Sequence, residues 1–149
     1  MTKIRLTKLF SFEAAHALMN YDGPCRNIHG HSYKLVVTII GTPLNDCLSP
    51  KNGMVMDFGD LKEIIKKSII EKFDHSLILN EKTTLPDLKK FKEIFSKLVL
   101  LPYQPTCENL LNDFAENIRK LLPPEISLHS LKLIETDSSS AAWYSQDNE

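Results

Sequence analysis

Between residues 25 and 35 the chain reads CRNIHGHSYKL, which sets a thiol four residues ahead of two histidines separated by a single glycine. Side chains two apart on a strand point to the same face, so His29 and His31 can converge on one ion, with Gly30 leaving the opposite face uncrowded. Two imidazoles alone make a weak site. A catalytic zinc usually has three protein ligands and an open fourth position. His16, in FEAAHAL, is the natural third, because an antiparallel return through the loop at Asn20 to Gly23 brings it opposite the pair. The competing reading is three separate histidines, some at the surface and some hydrogen-bonded in the core. Cys25 lies in a loop rich in Gly, Pro and Asn. A cationic metal nearby favours its thiolate, which makes it a candidate general base or nucleophile near neutral pH.

Five more positions carry two readings each. Asp74 precedes His75 directly, and a carboxylate can hold an imidazole in one tautomer; equally, the pair is the end of a helix whose dipole favours a histidine. Glu135 ends the apolar run LKLIET on the side of His129, Leu131 and Leu133. It can accept paired N–H donors from an aminopyrimidine ring, or it is the first polar residue after a strand. Thr106 and Glu108 can contact a ligand, yet helix capping and dipole complementation explain them without one.

The elements that must position these groups follow from periodicity. Ile4, Leu6 and KLFSF read as a first strand with His16 just after it, and YKLVVTII (33 to 40) as a second that Gly41-Thr42-Pro43 stops. MVMDF reads as a short strand end. From Asp60, the positions Leu61, Ile64, Ile65 and Ile69 keep a helical period. A short helix near 86 to 96 is expected between two apolar runs, with LVLL before Pro102 as a strand. Thr106 stands at an N-cap position ahead of Leu110, Leu111, Phe114, Ile118 and Leu121, and Pro123-Pro124 ends that helix. LHSLKLIET and AAWY read as two closing strands. This order predicts an α+β layer, with helices on one face of an antiparallel sheet.

Length and composition suit one domain over residues 1–149. A net charge of -1, no basic cluster and few aromatics leave no electrostatic footprint for nucleic acid. No segment reads as a membrane span, and the opening MTKIRLTKLFSFEAAH has no continuous apolar stretch of the kind a secretory signal needs. A cytoplasmic protein with a small-molecule partner is expected. Cys25, Cys47 and Cys107 are an odd number without framework spacing and read as free thiols.

FSFEAAH, CRNIHGHSY, GMVMDFGDLK, FDHSLILN, PTCEN and IETDSS occur in this order over almost the whole chain. Together they resemble the 6-pyruvoyl-tetrahydropterin synthase / 6-carboxytetrahydropterin synthase family. The resemblance implies the tunnelling fold: a four-stranded antiparallel sheet with two helices on one face. It also implies a homo-oligomer, a trimeric barrel or a hexamer of two stacked barrels, with active sites at subunit interfaces. Carried over, it makes His16, His29 and His31 the ligands of Zn2+. Cys25 becomes the base, and His75, oriented by Asp74, acts on the other side of the substrate side chain. Glu135 anchors the pterin ring, aided by Thr106 and the backbone around Cys107 and Glu108.

The implied substrate is 7,8-dihydroneopterin triphosphate, and the implied enzyme a carbon–oxygen/carbon–carbon lyase. One branch of the family makes 6-pyruvoyltetrahydropterin. The other releases acetaldehyde and makes 6-carboxytetrahydropterin on the route to 7-deazaguanines such as queuosine. Arg26, Asn27 and Ile28 alone separate Cys25 from His29, the short spacing of the carboxytetrahydropterin branch, which is therefore the one expected. The region 76 to 104 departs from the pattern by being longer than in compact members. A non-enzymatic, zinc-dependent pterin-binding subunit is the rival reading; it needs Glu135 but neither Cys25 nor the Asp74-His75 pair.

Overall fold

A computed structural model of the chain describes residues 2–83 and 88–148. Its strands are β1 (Ile4–His16), β2 (His29–Gly41), β3 (Ser76–Asn80), β4 (Leu98–Leu101), β5 (Ser127–Thr136) and β6 (Ser139–Tyr144). They form one sheet in the order β4-β3-β1-β2-β5-β6. The expected four antiparallel strands are present as β1, β2, β5 and β6. The sheet itself has six strands, because β3 and β4 extend it beyond β1 in parallel pairing. All five residues of β3 are buried. Such a continuous apolar run carries no alternation to mark it as a strand.

Along β1 and β2, alternate residues turn inward. Phe12, Ala14 and His16 are buried on β1, and Tyr33, Leu35, Val37 and Ile39 are buried on β2. The opposite face carries Glu13, Ser32, Lys34 and Lys132. The inward face meets α1 (Phe58–Ile65), α2 (Glu71–Phe73) and α4 (Cys107–Leu121) in one hydrophobic core. A short helix α3 (Leu88–Ile94) precedes β4, matching the helix expected near 86 to 96, whose residues 86 and 87 lie outside the described residues. MVMDF is not a strand end. Asp57 instead caps α1, its carboxylate accepting the Gly59 N–H at 2.6 Å.

Between α1 and α2, residues Lys66–Ile70 form a π turn. Leu61, Ile65, Ile69 and Phe73 recur every four residues and are each 0–1% exposed. In a pure α-helix that spacing drifts by ~40° per step, since each residue turns about 100°. The wider π turn offsets the drift and keeps all four in the core. It therefore determines where Phe73 ends and the Asp74-His75 pair begins. Among the described residues, no helix is long and apolar enough to cross a membrane.

Candidate active site

His16 and His29 face each other on the last rung of the β1–β2 ladder, and His31 stands opposite Ala14. One nitrogen from each of the three rings lies within 4.8 Å of the others. The expected convergence is therefore present. His16 Nδ1 lies 2.7 Å from the carbonyl of Pro105, and His29 Nδ1 lies 2.7 Å from the carbonyl of Asn27. A carbonyl only accepts, so each Nδ1 carries the proton and each Nε2 is left with a bare lone pair. Those two Nε2 atoms are only 3.0 Å apart. Two lone pairs at that distance repel unless a cation lies between them. His31 Nε2 is also buried without a hydrogen-bond partner among the described residues. Burial lowers the pKa values of His16 and His31, with their neighbouring histidines adding to it, which keeps the rings in the neutral, ligating form. An oriented Nδ1–H on a backbone acceptor is the usual second contact of a metal-binding imidazole. The donor set fits a zinc ion, with three nitrogens and room for further ligands.

Glu135 joins this cluster. It is the unpaired residue where the β5–β6 register shifts between Ile134 and Thr136, an irregularity of the kind that re-aims a side chain. Its Oε1 lies 3.6 Å from both His16 Nε2 and His31 Nε2, and accepts the Tyr33 hydroxyl at 3.2 Å. Burial and the adjoining carboxylate hold the Tyr33 phenol well above its ordinary range. It stays a donor at any working pH. His129 does not share that side as expected. A second register shift, between Leu128 and Ser130, leaves it unpaired, with its ring 6.4 Å from that of Tyr144.

Cys25 lies in a short 3-10 turn, Pro24–Arg26, within the loop that links His16 to His29. It is half-buried, and all three thiols are free. Asp74 and His75 form a separate group. His75 has φ 57, a left-handed conformation that costs a non-glycine residue about 1–2 kcal/mol. Three contacts enforce it: the His75 N–H donates to the Glu13 carbonyl at 2.6 Å, the Glu13 N–H donates to Asp74 Oδ1 at 2.9 Å, and Lys97 Nζ donates to the Asp74 carbonyl at 2.5 Å. Asp74 Oδ1 in turn lies 3.0 Å from His75 Nδ1. The Glu13 amide and His75 hold the Asp74 carboxyl below its ordinary pKa. The imidazole is 76% exposed and opens into a cleft of about 550 Å³ whose lining includes Glu13, His31, Ser32, Ile94, Phe95 and Lys97.

The structure thus brings His16, His29, His31 and Glu135 together on the helix side. His75 stands beside Glu13, three residues back along β1. Thr106 acts as the N-cap of α4, accepting the Asn109 N–H at 3.3 Å, and Glu108 is exposed on the first turn. The Cys107 side chain turns into the core, its thiol donating to the Leu133 carbonyl at 3.5 Å and pushed up to about 11 by burial and by Glu135. Only its backbone can face a ligand. Tyr33, Pro105 and Gln104 were not among the expected site residues. Tyr33 had a signal, since it continues the two-residue step from His29 and His31.

The 6-pyruvoyl tetrahydropterin synthase family pattern matches residues 5–146. The 6-carboxy-5,6,7,8-tetrahydropterin synthase of Haemophilus influenzae is 34% identical, the match covering 91% of this chain and 94% of that one. The 6-pyruvoyl tetrahydrobiopterin synthase of Pongo abelii is 31% identical, covering 91% and 87%. In fold, an uncharacterised protein of Wolinella succinogenes superposes with a TM-score of 0.77 at 22% identity, over 97% of this chain and 99% of that one. The chain belongs to the 6-pyruvoyl tetrahydropterin synthase family.

Proposed function

We propose that this protein is a zinc-dependent 6-carboxy-5,6,7,8-tetrahydropterin synthase. It converts 7,8-dihydroneopterin triphosphate and water to 6-carboxytetrahydropterin, acetaldehyde and triphosphate, on the route to 7-deazaguanines. Family membership supports the coarser statement, a lyase-type enzyme acting on pterins. The observation that carries the finer one is the histidine cluster, with two bare ring nitrogens 3.0 Å apart and a third without a partner. His16, His29 and His31 hold the metal. When bound, zinc acts as a Lewis acid toward the substrate's side-chain oxygens. Cys25, four residues from a ligand, removes the neighbouring proton. His75, its tautomer held by Asp74, returns a proton on the other side. Glu135 has one oxygen on Tyr33 and the other available to the ring N–H donors of a pterin. Thr106 and the backbone of Cys107 and Glu108 border that end.

Of the histidine cluster only His31 is among the residues lining the cleft of His75, without His16, His29 or Glu135, so one chain does not bring the Asp74-His75 pair onto the whole cluster. A second copy, presenting its own Asp74-His75 pair, completes the site, which supports a trimer or hexamer with interfacial active sites. The short Cys25 to His29 spacing favours the carboxy product. The pyruvoyl product is the second reading, supported by the match to the Pongo abelii enzyme. Mass spectrometry of products from 7,8-dihydroneopterin triphosphate decides between them. Acetaldehyde with 6-carboxytetrahydropterin is expected; 6-pyruvoyltetrahydropterin as the accumulating product overturns the assignment.

A further inference from the structure

The loop over residues 17–28 must hold the Cys25 thiol at a constant distance from His16 and His29, yet it contains no strand and only one short 3-10 turn. Its internal bonds are few. Leu18 N–H donates to the Cys25 carbonyl at 2.9 Å, and Asn27 N–H to the Pro24 carbonyl at 3.1 Å. Apart from the His29 ring on Asn27, the described side chain that grips it from outside is Gln104. Its Oε1 accepts the Met19 N–H at 3.0 Å, and its Nε2 donates to the Met19 carbonyl at 2.7 Å. A primary amide here reproduces both bonds of a β-bridge at a single residue. That residue adjoins Leu18, whose amide holds Cys25.

Gln104 is itself anchored. Its own carbonyl accepts the Thr106 N–H at 2.8 Å and the Asn109 side-chain amide at 2.9 Å, which ties it to the N-terminus of α4. The next residue, Pro105, supplies the carbonyl that orients His16. Two successive residues therefore hold the thiol's loop and a histidine of the cluster against one helix end. Both bonds to Met19 are partly buried, where an unmade amide bond costs about 1–3 kcal/mol.

We propose that Gln104 is a positioning residue for Cys25, acting through Met19 and Leu18 to set the thiol relative to the histidine cluster. The inference rests on the reading of Cys25 as the base. Gln104→Met preserves side-chain length and removes both bonds. Zinc content is expected to stay at the parent level while amide hydrogen exchange over 17–28 accelerates relative to β1 and β2. Turnover falls about tenfold to a hundredfold, the range for a misplaced reacting group, with KM within about threefold. In a Cys25→Ala background the same substitution changes turnover by less than about twofold, because residues that act as one unit are not additive. Gln104→Glu retains the acceptor for Met19 and gives intermediate exchange, which keeps the test available if the Met variant does not fold. Parent-like exchange of the loop, or a full additive loss in the Cys25→Ala background, overturns the proposal. Should the parent protein fail to turn over dihydroneopterin triphosphate, the functional reading falls, and the exchange measurement still decides the clamp.

Discussion

Replacing Tyr33 with Phe isolates one hydrogen bond at the junction of core and site. The ring is fully buried and stacks on Phe12, with centroids 5.0 Å apart and planes 15° from parallel. Phenylalanine preserves that packing and leaves only an oxygen-sized gap. What is lost is the bond to Glu135 Oε1, and a bond to a charged acceptor contributes about 1.5–3 kcal/mol. Glu135 is 23% exposed, so water partly replaces the hydroxyl, and the low end, about 1.5 kcal/mol, is the expected loss. For a chain of this length that lowers Tm by roughly 3–6 °C. Urea unfolding of metal-free protein should show a lower midpoint with an unchanged m-value, the mark of altered stability without altered compactness. The freed carboxylate should also weaken binding of a pterin product analogue, by less than about tenfold. A variant that unfolds at the parent temperature and binds the analogue equally well would refute the idea that Tyr33 holds Glu135.

The remaining predictions concern the metal, the base, the ring anchor and the acid limb. Purified protein should carry about one zinc per chain, and His29→Ala or His31→Ala should lose most of it by elemental analysis; full occupancy in both removes the ligand assignment. Cys25→Ala should retain zinc while turnover falls by roughly two to four orders of magnitude, and a near-parent rate makes the thiol a bystander. Glu135→Gln should weaken binding of a pterin product analogue roughly tenfold or more at unchanged zinc content, as read by calorimetry; equal affinity ends the anchor role. Asp74 has its folded pKa below the ordinary 3.8, so its contribution to stability is present above that value and is lost as pH falls through the folded pKa. Asp74→Asn should flatten that acid limb in pH-dependent unfolding, and an unchanged limb shows that the Glu13 amide and His75 do not stabilise the charged form.

The histidine cluster was legible because its geometry is local. A two-residue step fixes His29 and His31 on one face, and an antiparallel return from His16 needs only the loop between them. The four antiparallel strands, the N-cap at Thr106 and the helix after it were legible for the same reason. LVLL was legible as the strand β4. The strand β3 was not, because its buried apolar stretch Leu77-Ile78-Leu79 has the same composition in a strand as in a buried helix. The π turn was hidden too, since a four-residue apolar spacing reads as an ordinary helical stripe until Phe73 must share the core with Leu61.

What sequence reading missed at the site shares one physical character. Pro105 and Gln104 act through contacts with His16 and Met19, 89 and 85 residues away, and Lys97 reaches back to Asp74 across 23. Each joins a side chain to a backbone group, so neither partner needs a diagnostic residue type and no spacing exposes it. The three histidines sit on the paired strands β1 and β2, whereas Lys97, Gln104 and Pro105 come from the flanks of β4 and the approach to α4. That division gives the 76 to 104 region a structural role. It supplies β3, β4 and the Lys97 bond to the Asp74 carbonyl, and it ends at Gln104, which grips the loop of Cys25. On the proposed function, a change in this region alters turnover without touching His16, His29, His31 or Cys25.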